Sequence, residues 1–216
     1  MSLCKTAAWT HCLATLGVIA LSAALALPAA ARTSGPKRTV VSEIIVHATG
    51  GPSCQRGRVV FSPPGDLDRM QRFFARNRVV SIHYIVGRDG RIAASVPEDE
   101  VARHTRDNND HSIGIELINA GDGHEPFPQA QVDALIRLVG EVRRRWRVPI
   151  AQVKGHDDVD NSTFRCGGRE VRRKQDPGPR FPWALVRARL KAADMGHPAA
   201  VGAGATAAPL ARGPHR

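Results

Sequence analysis

The sequence predicts one α/β domain in which a mixed central β-sheet is flanked by helices. Strand-like and helix-like stretches are interspersed along the chain without strict alternation, which favours a mixed sheet over a regular parallel one. The length of 216 residues suffices for one domain of ordinary size with its own core. A hydrophobic fraction of 42% with 24% charged residues describes a globular chain, not a disordered one. No internal repeat is visible.

The two ends stand apart from that domain. "MSLCKTAAWTHCLATLGVIALSAALALPAAARTSG" places a cation at Lys5, an apolar run from Leu13 to Leu27, and then the small residues Ala29, Ala30 and Ala31. That layout predicts a secretory signal over residues 1–31, cleaved after Ala31. The apolar run falls short of the roughly 20 residues a membrane span needs, so no transmembrane anchor is expected after cleavage. Residues 32–38 read as a linker, 39–193 as the domain, and the Ala/Gly/Pro-rich 194–216 as a disordered tail. Cys4 and Cys12 leave with the signal, and Cys54 and Cys166 stay. The net charge of +11 on an exported chain, bound for the periplasm or the exterior, suits an anionic envelope surface. Nucleic acid competes for such a charge but is not expected as partner, because only 5% of residues are aromatic and no helix-turn-helix, zinc finger or aromatic platform is visible.

Taken in order, "TVVSEIIVHAT" (39–49) is rich in β-branched residues and apolar on both parities, as a buried strand ending at His47 would be. "GGPSC" reads as a loop. "GDLDRMQRFFARN" reads as a helix with Asp66 as its cap. "SIHYIVGRDGRIAASV" is a hairpin turning at Asp89-Gly90, and "SIGIELINA" is a further strand. Between Pro128 and Trp146, residues Val132, Leu135, Ile136, Val139, Val142 and Trp146 share one helical face. "AQVKGH" is a short strand that ends, like the first, on a histidine. "PWALVRARL" is a last helix, with Pro182 in its first turn.

His47 and His156 thus end two strands, and Asp176 opens the rigid turn "DPGP". A hydrolytic zinc site takes three such ligands and keeps a fourth position open. Metal-ligand spacing alone is a weak signal here, since neither HExxH nor CxxC occurs. The ordered set is more specific. "EIIVHATGG", "SIHYIVGRDGRIAASVPEDEVARH", "SIGIELINA", "VKGHDDV" and "RRKQDPGPRFPW" together resemble the zinc-dependent N-acetylmuramoyl-L-alanine amidases (amidase type 2), the family that includes phage T7 lysozyme and the peptidoglycan recognition proteins. The resemblance runs from about Val40 to Leu190.

The resemblance implies a zinc site in a groove at the strand ends, with His47, His156 and Asp176 as ligands. It implies Glu116 as the proton-transferring base and Lys174 as the stabiliser of the oxyanion. His104 matches a groove-lining histidine. His83 is expected in the core or on the groove wall, where it would contact substrate, and not among the ligands. Arg103 stands where many relatives carry a groove tryptophan, so it is expected to meet a stem-peptide carboxylate of the substrate. Some relatives also carry a catalytic tyrosine where Ile82 stands, which leaves the proton and charge work to Glu116 and Lys174. Cys54 lies in the loop after the first expected ligand, and Cys166 lies between the second and third. In an oxidising compartment a Cys54–Cys166 disulfide is expected to tie the two loops together. The implied activity is hydrolysis of the bond between the lactyl group of N-acetylmuramic acid and L-alanine, by a monomer acting on peptidoglycan or muropeptides. The alternative is a peptidoglycan-binding protein of the same fold without catalysis.

Overall fold

The computed structural model describes residues 35–196. The signal expected at 1–31, and the tail beyond residue 196, lie outside the described residues. A five-stranded sheet runs in the order β5-β4-β6-β1-β7, built from β1 (Glu43–Ala48), β4 (Tyr84–Val86), β5 (Ile92–Ala94), β6 (Ser112–Leu117) and β7 (Val153–Gly155). β4, β6, β1 and β7 are mutually parallel, and only β5 runs antiparallel, against β4. The sheet is therefore mixed, as expected. The first strand is shorter than expected and starts at Glu43.

Alternation along the central strands separates two faces. Ile44 and Val46 of β1 join Ile113, Ile115 and Leu117 of β6 in the main core. Over them lies α2 (Gln129–Trp146), which contributes Val132, Leu135, Ile136, Val139 and Val142. Those five belong to the stripe expected from the sequence, and Trp146 packs on its margin. α4 (Trp183–Gly196) adds Val186 and Leu190 to the same core. It continues to Gly196, past the domain end expected at residue 193. At the β4–β5 side, α1 (Leu67–Arg76) packs Leu67 and Phe74 against Ile82, Ile85, Ala93 and Ile118. Its start is set by Asp66, whose side chain accepts from the Arg69 N–H at 2.8 Å. No helix among the described residues is long and apolar enough to cross a membrane.

Two regions depart from the expected loops. The stretch after β1 folds into a hairpin of β2 (Pro52–Gln55) and β3 (Arg58–Phe61), which turns at Arg56 and Gly57, both at positive φ. Between β7 and Asp176 the chain forms α3 (His156–Val159) and then a second hairpin, β8 (Thr163–Cys166) and β9 (Arg169–Arg172). Its turn is Gly167-Gly168, with φ of 57° and 79°, a conformation that glycine adopts without steric cost. The two turns touch: a Cβ on Gly167 would lie 2.3 Å from the Gly57 carbonyl oxygen. Cys54 and Cys166 are joined by the expected disulfide, across a separation of 112 residues.

The segment expected as a linker is partly built into the domain. Lys37 bridges to Glu100, and the Arg38 guanidinium donates to the carbonyls of Asn109 and Ser112 at 3.0 and 2.7 Å.

Candidate metal centre

Parallel pairing brings the candidate ligands to one edge of the sheet. β1 and β7 are neighbours, so His47 near the end of one and His156 just past the end of the other leave the sheet on the same side. β1 and β6 are in register with His47 opposite Glu116. This is the carboxyl-end crevice where ligands gather in open α/β sheets. Asp176 arrives from the far end of the β8–β9 excursion and is held by its main chain, whose carbonyl accepts from the Asp157 N–H at 3.0 Å. Gly155 permits this approach: a Cβ there would meet Asp157 Oδ1 at 2.2 Å and Pro177 Cδ at 2.9 Å.

The three side chains are buried, and their donor atoms lie within 4.8 Å of one another. His47 Nδ1 and His156 Nδ1 are 2.8 Å apart. Asp176 Oδ2 is 3.3 Å from the first and 3.1 Å from the second. Two donors bound to one zinc at tetrahedral angles are separated by about 3.4 Å, so the triangle is close to ready-made. Burial, only partly offset by Asp176, pushes the His47 pKa down to about 4. Burial pushes the Asp176 carboxyl up, but the His156 and His47 imidazoles beside it outweigh that and hold the group below the usual carboxylate range. A neutral imidazole and an ionised carboxylate are the protonation states a metal requires. The donor set fits zinc.

Glu116 faces this cluster with its Oε2 sealed from solvent and without a hydrogen-bond partner. Burial, and then the Asp176 charge, push its pKa up to about 8, while the Lys174 cation opposes the rise. Lys174 acts in the same sense on His47. The expected base and cation therefore both sit within electrostatic reach of the ligands.

The three expected groove residues are placed differently from one another. His83 is fully buried, accepts from the Gly114 N–H at Nδ1 (3.0 Å) and reaches the Glu100 carbonyl through Nε2 at 3.1 Å. It serves the main chain beneath the site, the core placement that was one of its two expected positions. Burial, and then the Arg38 cation, push its pKa down to about 3. His104 stands behind His47, with rings perpendicular and centroids 5.1 Å apart, and its Nδ1 lies 3.0 Å from His47 Nε2. Burial pushes its pKa well below the ordinary value. Arg103 is exposed, and its guanidinium donates to the Arg78 carbonyl at 3.3 Å, in the segment after α1. Two residues of the surroundings went unread in the sequence, Ser112 and Gly114. A glycine inside a strand pattern signals close approach by another group. Here a Cβ on Gly114 would lie 2.5 Å from His104 Cγ.

Comparison with known proteins adds the family context. Residues 37–179 match the family described as N-acetylmuramoyl-L-alanine amidase. The N-acetylmuramoyl-L-alanine amidase AmiD of Escherichia coli K12 is 34% identical over 129 residues, covering 50% of this chain and 43% of its own length. The 1,6-anhydro-N-acetylmuramyl-L-alanine amidase AmpD of Enterobacter cloacae is 31% identical over 128 residues, covering 55% of this chain and 62% of its own. Among solved structures, the complex of E. coli AmiD with anhydro-N-acetylmuramic acid-L-Ala-D-gamma-Glu-L-Lys matches with a TM-score of 0.54 and 28% identity, over 74% of this chain and 60% of that one. The chain spans about half the length of the curated relatives it matches.

Proposed function

Because the chain belongs to the N-acetylmuramoyl-L-alanine amidase family, we propose that it hydrolyses the amide between the lactyl group of N-acetylmuramic acid and L-alanine in peptidoglycan or muropeptides, with zinc held by His47, His156 and Asp176. The observation that carries this reading is the convergence of those three buried donors beside a carboxylate whose Oε2 is sealed. When bound, zinc supplies Lewis-acid polarisation of the amide carbonyl and makes the attacking water more acidic. Glu116 takes the proton from that water as its oxygen bonds to the carbonyl carbon. Lys174 offsets the negative charge that develops on the carbonyl oxygen. As the carbon–nitrogen bond breaks, Glu116 passes the proton to the departing amine of L-alanine. The products are a lactyl carboxylate and a stem peptide with a free amino terminus. Arg103 is the candidate contact for a stem-peptide carboxylate. The first 31 residues direct export, and the protein acts as a monomer in the periplasm or outside the cell.

Incubation with purified murein and with defined muropeptides, followed by mass analysis, tests the reaction. Intact stem peptides with an unblocked L-alanine are expected. Binding to murein without product release would favour the non-catalytic alternative. Changing His156→Ala is expected to abolish stoichiometric zinc and activity together, and a variant that keeps both would overturn the assignment of the metal centre.

A further inference from the structure

Behind His47 lies a chain of hydrogen bonds in which each proton has one permitted direction. It begins at the Asn108 main-chain carbonyl, which accepts and never donates. The Ser112 hydroxyl donates to that carbonyl, so toward its other neighbour it presents only lone pairs. That neighbour is His104 Nε2, at 3.3 Å, which must therefore carry a hydrogen. A neutral imidazole holds one, so His104 Nδ1 is an acceptor. It lies 3.0 Å from His47 Nε2, which must then donate. With its one hydrogen on Nε2, His47 has a bare Nδ1, and Nδ1 is the atom turned toward His156 and Asp176. Among the described residues no carboxylate bonds to His104, so a second proton there would be an unpaired charge in an enclosed site.

The scaffold around this chain is specific. The Asn109 side-chain oxygen accepts from the N–H groups of His104 and Thr105, both at 2.9 Å, and so pins the backbone that carries the ring. Gly114 leaves the space the ring fills, because a Cβ would overlap both His104 Cγ and Nδ1 at 2.5 and 2.6 Å. Ser112 and Gly114 alternate with the core residues Ile113 and Ile115 on β6, so the strand that presents Glu116 also builds the support for His47.

We propose that His104 and Ser112 form a one-way hydrogen-bond relay, anchored on the Asn108 carbonyl, that holds His47 in the tautomer and orientation required for metal binding. This assigns His104 as a positioning residue in place of a groove contact, and it rests on the metal-centre reading above. Partners of this kind typically carry about 10–100-fold in metal affinity.

The test compares His104→Gln with His104→Leu in the full chain. A glutamine offers an acceptor to His47 and a donor to Ser112, whereas leucine fills space and offers neither. Zinc affinity, measured by competition with a chelating dye, is expected to fall about 10–100-fold for the leucine variant and markedly less for glutamine. Ser112→Ala, a smaller deletion, is expected to weaken zinc by a lesser factor. In the zinc-loaded wild type, long-range proton–nitrogen NMR is expected to show His47 and His104 both protonated on Nε2. Equal affinity for the two His104 variants, or a proton on His104 Nδ1, would overturn the relay. Failure of the wild type to bind zinc, or retention of zinc by His156→Ala, would instead overturn the metal centre on which it depends.

Discussion

Glu116 is the residue whose environment differs most from what its position in a strand would suggest. A carboxylate on a sheet face ordinarily reaches water, yet here Oε2 is sealed and unpartnered. Burial and the neighbouring Asp176 oppose its ionisation, and a cation placed among the three donors would favour it. Glu116→Gln removes the proposed base while keeping the shape. It is expected to leave stoichiometric zinc in place and to lower turnover by about 100-fold or more, measured on a defined muropeptide with zinc content determined in parallel. Near-normal turnover in the zinc-loaded variant would remove Glu116 from the reaction. At this scale His47, His156 and Asp176 were singled out through the ordered resemblance, because strand ends and a proline turn are weak marks on their own. His104 was less legible. Its position was found by resemblance, but its partner is 57 residues away, and nothing in "ARH" tells a groove contact from a support behind a ligand. The glycine in "SIGIE" was the available clue.

At the scale of elements, a single side chain locks the β4–β5 hairpin to α2. Glu98 accepts from the Tyr84 hydroxyl at 2.6 Å, from the Arg145 guanidinium at 2.7 and 2.8 Å, and from the Trp146 indole N–H. Burial pushes its carboxyl up, but the bonds from Arg145, Tyr84 and Trp146 prevail and bring it down from 4.5 to about 2. A depressed carboxyl contributes stability that is present in full above its unfolded value and is lost as pH falls through its folded value. Wild-type protein is therefore expected to lose an increment of stability between about pH 4.5 and pH 2 that Glu98→Gln does not lose. At neutral pH the glutamine variant is expected to be less stable by about 2 kcal/mol. Denaturant melts of both proteins across this range, in chelator so that metal release does not contribute, measure the difference. Indistinguishable pH profiles would show that the clamp is energetically idle. Neither this clamp nor the two small hairpins was legible from local pattern. Their strands are four residues long, and the Arg56-Gly57 turn lacks the usual Asn-Gly or Asp-Gly signature. The helices α1, α2 and α4 and the β4–β5 hairpin were legible, because caps, apolar stripes and an Asp-Gly turn are local features.

For the molecule as a whole, the Cys54–Cys166 bond joins two hairpins that belong to different ends of the sheet's connectivity. Closing so long a loop restricts the unfolded chain, and removing such a bond typically costs about 2–4 kcal/mol. A Cys54→Ala/Cys166→Ala double variant is expected to be less stable by that increment under non-reducing conditions, with a correspondingly lower denaturant midpoint, and the wild type is expected to fall to match when reduced. Coincident midpoints for the oxidised wild type and the double variant would show the bond to be without effect on stability. The order in which the donors occur along the chain has its own consequence. One lies at position 47, the second at 156 and the third at 176, and the sheet seats the first two through the β1–β7 pairing. A polypeptide emerging from its amino end delivers the first donor early, the second much later, and Asp176 last. Until then no fragment holds a complete donor set, so the hydrolytic capacity proposed here would be withheld from every amino-terminal piece that stops short of Asp176.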